Sequence, residues 1–319
     1  MKSRLKYLSI ATFILTLGLW LHLQYYFNPT DYSPAPLAKP NLAIKENAAK
    51  EDAAIVSKEE AVGIKPFNVI LLGIDARDQE NSRTDLIMLS NVNPKEKTVQ
   101  VVSIPRDTWV ELPGVGHTKI NHAHLLGEIK GGAEEGTWAS LQAVSELLQC
   151  EIDYYIKLDF DVFSDFIDTI GGIEIDLEKP VTLTFDKKIL PAGKQHLDGY
   201  MALKLVRERF SLPDGDFGRQ KLQFLVLETL ASKLLEPRSL PKLPALLEEI
   251  RNRVETNLNI GDVIALARTF QKLPKENITH IQLPGRGGYA ADRLVKGSLY
   301  FWFPDSEQIQ EISERFRNP

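Results

Sequence analysis

Residues 67–110 read FNVILLGIDARDQENSRTDLIMLSNVNPKEKTVQVVSIPRDTWV. Three apolar, β-rich runs lie within this stretch, at 68–73, 85–91 and 98–104. Charged residues stand at or near their ends: Asp75, Arg77, Asp78, Arg83, Asp85, Arg106 and Asp107. A sheet core has little use for such a set. Strands whose ends deliver carboxylates and guanidinium groups to one rim make a site for an anion and a metal.

Upstream, residues 7–27 (YLSIATFILTLGLWLHLQYYF) form a mostly apolar run, long enough as a helix to span a bilayer core. Lys2, Arg4 and Lys6 precede it, and no Lys or Arg follows until Lys39. That asymmetry places a tail at 1–6 in the cytoplasm and the rest of the chain outside. The run is longer than the apolar core of a cleaved signal peptide and has no small-x-small site after it, so a retained signal anchor is the expectation. Residues 28–66, rich in Pro, Ala, Lys and Glu, read as a spacer. The folded domain is expected over 67–319.

With 43% hydrophobic and 25% charged residues, the composition is that of a folded protein. The net charge of −5 gives no support for nucleic-acid binding, so an anionic ligand needs a local cluster of cations. The lone Cys150 cannot form an internal disulfide and suits a small buried residue at a helix end.

Downstream, apolar periodicity predicts helices over 135–148, 160–170, 199–207, 219–235, 244–253 and 305–315, with Asn259 capping another over 260–273. Strands are expected at 108–112, 154–158, 173–177 and 278–283, and 180–185 is expected to pair with 173–177. Strands alternating with helices, some joined by short hairpin connections, predict an α/β fold. The expected form is a single α/β/α-type sandwich with a mixed central sheet, preceded by one transmembrane helix. Dinucleotide, Walker, GxSxG and HExxH patterns are absent from the sequence.

Asp75 ends one strand and Asp85 starts the next, so the two carboxylates can approach each other and suit Mg²⁺ as hard oxygen ligands. The plain alternative is a turn cap and an ion pair with Arg83. His122 and His124 have no third ligand at metal spacing and read as structural. A second cluster, LVRERFSLPDGDFGRQ at 205–220, crowds Arg207, Glu208, Arg209, Asp214, Asp216 and Arg219 around a helix end and a tight turn. Arg219 and Gln223 share a face of the next helix. Several guanidiniums near a metal match a diphosphate, the alternative being a solvated salt-bridge network.

The blocks LLGIDAR, SRTDLIML, VVSIPRDTWVELPG, KINHAH, FIDTIGGIEIDL, LPAGKQHLDGYMALKLVRER and DFGRQ, in this order, resemble the LytR-CpsA-Psr family of membrane-anchored bacterial cell-envelope enzymes. GSLYFWFPD resembles a late motif of that family. The resemblance implies a phosphotransferase that moves a glycan polymer from a polyprenyl-diphosphate carrier to peptidoglycan or another wall acceptor. By motif, Asp75 and Asp85 would hold Mg²⁺ with Arg83 beside them, and Arg106, Arg207, Arg209 and Arg219 would grip the diphosphate. Asp216 would brace the arginines, while Lys119, Asn121 and Gln223 would lie at the substrate. The family pattern DFGR-x-x-RQ departs here at Leu222, which stands where an arginine is usual. A non-catalytic carrier-binding module and a diphosphate hydrolase are the rival readings.

Overall fold

The computed structural model describes residues 65–75, 82–271, 273–295 and 297–317. The predicted span at 7–27, the spacer apart from Lys65 and Pro66, and Arg77 and Asp78 lie outside the described residues. Among the described residues, no helix is long and apolar enough to cross a membrane.

The chain opens with the predicted strand trio, β1 (Phe67–Ile74), β2 (Thr84–Asn93) and β3 (Thr98–Ser103). A small hairpin follows, β4 (Trp109–Leu112) with β5 (Gly116–Lys119), then α1 (His122–Gly131) and α2 (Ala133–Leu148). Next come β6 (Tyr154–Asp159), α3 (Phe160–Thr169), β7 (Ile173–Leu177), β8 (Val181–Leu183), β9 (Lys188–Leu190) and β10 (Gly193–Leu197). The remainder is α4 (Gly199–Arg207), α5 (Asp216–Leu234), α6 (Leu243–Ile250), β11 (Glu255–Thr256), α7 (Ile260–Thr269), β12 (Ile278–Gln282), β13 (Gly285–Ala291), β14 (Ser298–Pro304) and α8 (Ser306–Arg317).

The central sheet has the order β11-β6-β1-β2-β3-β12 and is mixed. β1 is antiparallel to β2 and parallel to β6, β2 is antiparallel to β3, and β3 is parallel to β12. Hence the carboxyl ends of β1, β3, β6 and β12 and the amino end of β2 share one rim. Strand alternation sorts the two faces. Ile70, Leu72, Ile87, Leu89 and Val102 are buried in a core closed by α1, α2 and α8 through Ala123, Leu141, Val144, Ile312 and Phe316. Val69, Leu71, Met88, Val99 and Val101 face the other way, toward α5, α6 and α7. The three layers of the expected sandwich are present.

Some expectations are corrected. Residues 180–185 do not pair with β7: β8 pairs with β9, and β7 with β10, because the chain turns back at once after β8. The helix capped by the Asn259 side chain, which accepts from Asp262 N at 2.8 Å, stops at Thr269. On α5 Val226 is fully buried, while Leu222, Leu225 and Leu230 are half-buried against a second core shared with α3, α4 and β7–β10. Cys150 is buried just past α2 as expected, and burial pushes its thiol up to about 12.

One polar knot ties the beginning of the domain to its end. The Asn68 side chain, 1% exposed, donates to the carbonyls of Glu151 (2.8 Å) and Phe316 (2.7 Å) and accepts from Asn91 Nδ2 (2.9 Å). Its removal strands three buried partners, each costing roughly 1–3 kcal/mol with partial relief from relaxation. Asn68→Ala is therefore expected to lower unfolding stability by about 2–4 kcal/mol in urea titration.

Candidate functional site

The rim is where charge collects. Asp75 follows directly on β1, its N–H donating to Arg83 O at 3.3 Å, and Asp85 is the second residue of β2. Arg106 follows β3 and puts Nη1 at 2.6 Å from Asp85 Oδ1. The distant cluster arrives on the same rim through α4 and α5. Arg207 ends α4, with Nη2 at 3.8 Å from Asp75 Oδ2 and its guanidinium carbon 4.6 Å from the centre of the Phe160 ring. Arg209 lies 4.7 Å from the Phe210 ring. Such rings hold a guanidinium in place without consuming its donors. Arg219, on the first turn of α5, is paired with Asp216 at 2.6 Å. The turn before α5 needs a left-handed backbone (φ +54°), and glycine supplies it at Gly215.

These residues enclose a cavity of about 610 Å³ lined by Asp75, Asp85, Arg106, Arg207, Arg209, Arg219 and Gln223 among others. Gln223 is buried, and its amide donates to Val206 O at 3.2 Å. Asp216 braces Arg219 without lining the cavity. Arg83 is exposed and lies off the wall, although its charge reaches His122. Lys119 and Asn121 also stand behind the wall. Lys119 Nζ holds Asp107 at 2.7 Å, and the buried Asn121 donates its N–H to Arg106 O at 3.3 Å. Leu222 packs against the second core, off the cavity wall.

Electrostatics single out two of the arginines. Burial works against the charge of Arg106, but Asp85, with Asp107 and Asp216, outweighs it and raises its pKa. Burial lowers that of Arg219, Asp216 opposes the shift, and Arg106 and Arg209 add to it. Each thus feels charges from the other cluster. The Nε atoms of both are buried with no hydrogen-bond partner among the described residues. Buried donors left without a partner are uncommon in folded proteins and cluster at sites with a role beyond packing.

The cavity wall carries five cationic side chains (Arg106, Lys204, Arg207, Arg209, Arg219) and five carboxylates (Asp75, Asp85, Asp159, Asp186, Glu208). Their formal charges cancel, so a diphosphate would enter without net compensation. Asp75 and Asp85 offer the hard oxygen donors that Mg²⁺ takes, and a divalent cation held by them would restore the balance. No group of three or more metal-ligating side chains occurs among the described residues, so the phosphate and water would complete the shell.

Glu208 stands out as a site residue with no assigned role in the sequence. It is buried and accepts from the backbone N–H groups of Thr184 (2.7 Å), Arg209 (3.0 Å), Phe210 (2.8 Å) and Ser211 (3.0 Å). Burial alone would raise its pKa, but the N–H groups of Thr184, Ser211 and Phe210 and the Thr184 hydroxyl hold it below the usual carboxylate range. It shapes the turn that presents Arg207 and Arg209. A single charged letter inside VRERF gives no hint of this. His122 and His124 are buried and structural: His122 Nδ1 lies 2.7 Å from Thr118 Oγ1, and His124 Nδ1 3.1 Å from Ser82 O.

The pattern described as the LytR_cpsA_psr family matches residues 38–318. The polyisoprenyl-teichoic acid–peptidoglycan teichoic acid transferase TagU of Bacillus cereus is 34% identical over 280 residues, covering 88% of this chain and 85% of that protein. The crystal structure of B. subtilis TagV superposes with a TM-score of 0.68 at 30% identity, covering 79% of this chain and 96% of that one. The structure titled "TagT bound to LIIa-WTA" gives 0.65 at 28% identity, covering 86% and 96%.

Two outcomes follow from the site's supports. Glu208→Gln turns an amide donor toward N–H donors, and stability should fall by about 1–3 kcal/mol in chemical denaturation. Affinity for inorganic pyrophosphate, measured by calorimetry, should drop about tenfold. His122 and His280 are both held down to about 4, chiefly by burial. They bind fewer protons folded than unfolded, so their contribution is complete above about 6.5 and is lost as pH falls toward about 4. The melting temperature should decline over that window, less steeply in His122→Asn.

Proposed function

The chain belongs to the LytR-CpsA-Psr family, and from that premise we propose that it is a membrane-anchored cell-envelope transferase. It moves a glycan polymer, with its phosphate, from a polyprenyl-diphosphate carrier to a hydroxyl of peptidoglycan or a similar wall acceptor. The TagU relative is by name a polyisoprenyl-teichoic acid–peptidoglycan teichoic acid transferase, and the TagT neighbour is bound to LIIa-WTA. The observation that carries the reading is a pair of adjoining spaces with a common wall. The charged cavity shares Leu71 and Leu227 with an apolar slot of about 620 Å³ between the open face of the sheet and α5, α6 and α7. A diphosphate ester of a long isoprenoid alcohol has this profile: a compact anionic head on a wide hydrocarbon tail. The half-buried Leu227 and Leu234 of α5 have their reason here, since they line the slot.

In this reading Arg106 and Arg219 grip the diphosphate from the rim, and Arg207 and Arg209 close on it from the α4 turn. Asp216 and Asp85 offset the charge of the two guanidiniums and orient them. An acceptor oxygen bonds to the phosphorus that carries the glycan. The bond from that phosphorus to the bridging oxygen breaks, and polyprenyl phosphate leaves with that oxygen. The acceptor's proton passes to a rim carboxylate or to water. The arginines stabilise the charge that accumulates on the phosphoryl oxygens and leaving group. Asp75 and Asp85 are the residues that would hold Mg²⁺, which when bound neutralises phosphate charge. The apolar run at 7–27, with Lys2, Arg4 and Lys6 before it, supports a cytoplasmic amino terminus and an extracytoplasmic domain.

The test is to incubate the protein with a defined polyprenyl-diphosphate glycan and peptidoglycan fragments, with and without Mg²⁺, and identify products by mass. A phosphodiester-linked adduct plus polyprenyl phosphate is expected. Free glycan phosphate alone would mark a hydrolase, and unchanged donor a binding module. Arg219→Ala and Asp75→Ala should each lower transfer by about 10²–10³-fold while the domain stays folded. Chelation by EDTA should abolish transfer, and added Mg²⁺ should restore it.

A further inference from the structure

Beside the charged rim lies a surface with no part in the chemistry above. β13 starts three residues after β12 ends, so the β13–β14 hairpin rises from the rim that carries Arg106 and Asp107. Cross-strand pairs Tyr289↔Tyr300 and Gly287↔Trp302 put Tyr289, Tyr300 and Trp302 on one face of the ribbon. Phe301 and Phe303 project from the opposite face and pack on Trp109. The first face is built in an unusual way. Its β13 positions are Gly285 and Gly287, and a Cβ on Gly287 would run into the Tyr300 hydroxyl, while one on Gly285 would lie 2.8 Å from Trp302 Nε1. The aromatic side chains therefore lie across bare backbone.

The strip has a direction. At its inner end Trp302 packs on Phe217, ring centres 4.5 Å apart, next to the Asp216 that holds Arg219. Trp302 N also donates to Asp107 O at 2.9 Å. At its outer end Tyr289 is 76% exposed and Tyr300 40%, their rings 5.8 Å apart. The Tyr300 hydroxyl is raised by burial and then by the charges of Asp107 and Asp216, which places it in the field of the site. Neighbouring exposed tyrosines with polar tips, set edge to face on a ribbon that adjoins the charged rim, suit sugars, whose C–H faces stack on rings and whose hydroxyls need hydrogen-bond partners.

We propose that the Tyr289–Tyr300–Trp302 strip is the acceptor subsite, on which successive amino-sugar rings of the wall glycan lie so that one hydroxyl reaches the Arg106–Asp107 rim. This rests on the transferase reading, and binding separates the two. A soluble β-1,4-linked N-acetylglucosamine hexamer and a muramyl-peptide fragment are the probes, titrated against the full chain in detergent with tryptophan fluorescence and calorimetry. Retention of a polyprenyl-diphosphate glycan is measured alongside.

The double variant Tyr289→Ala/Tyr300→Ala is expected to weaken sugar binding about tenfold or more, raise the acceptor KM to match, and leave donor retention and melting temperature unchanged. Phenylalanine at both positions should restore most of the affinity, because stacking survives loss of the hydroxyls. Gly287→Ala, which lifts the Tyr300 ring, should weaken sugar binding with both tyrosines intact. Equal oligosaccharide affinity in the alanine variant overturns the inference, as does a wild type that holds donor but neither sugar probe. Tyrosine-dependent sugar binding without any transfer would uphold the subsite and reject the transferase.

Discussion

Arg106 and Arg219 are the constraint around which the rest is arranged. A guanidinium cannot shed its charge at any pH a protein experiences, so one that leaves water must bring a counter-charge with it. Arg219 has 6% of its side chain exposed and Arg106 20%, with Asp216 and Asp85 each at 2.6 Å. Those pairings offset both charges, yet the buried Nε atoms still lack partners among the described residues. The site is stable and chemically unfinished, a combination suited to holding an anion that comes and goes.

The sheet topology turns that constraint into a place. Only because β1, β3, β6 and β12 run the same way do Asp75, Arg106 and Asp159 share an edge, and the antiparallel β2 contributes Asp85 through its start. The same alternation that fills one face with a core leaves the other to line the slot under α5. The charged cavity and the apolar slot draw on opposite properties of the same strands: charge at their ends, apolar side chains along their length. Glu208 performs the matching task for the second cluster, folding four N–H groups around one carboxylate.

Much of this was written in local patterns. The three strands and their charged ends were readable because period-two apolar runs are strong signals, and Asp75, Asp85 and Arg106 fall just where those runs stop or start. Arg207, Arg209 and Arg219 were readable as a cluster, and their meeting with the first cluster was an expectation that the 3.8 Å Arg207–Asp75 contact supports. The pairing of β8 was misread because a strand of three residues gives no register. The β13–β14 ribbon escaped notice because Gly285, Gly287 and Gly288 have poor strand propensity, and their role exists only once an aromatic strand lies across them. Asn68 was hidden for a related reason: it interrupts an apolar run, and its partners sit at the other end of the chain.

The polarity of β1 has a further consequence. Its start, Phe67, lies one strand length from Asp75, roughly 26 Å for eight residues. Phe67, Val92, Val99 and Ile278 line the slot at that lower pole, and Leu71 and Leu227 line it toward the rim. Whatever precedes Phe67 therefore enters at the pole where the hydrocarbon end of the slot lies. On the transferase reading, an isoprenoid carrier seated in the slot would point its head group at Asp75 and its tail toward the start of β1. The separation between the charged rim and the point where the chain enters the domain is thus one strand long.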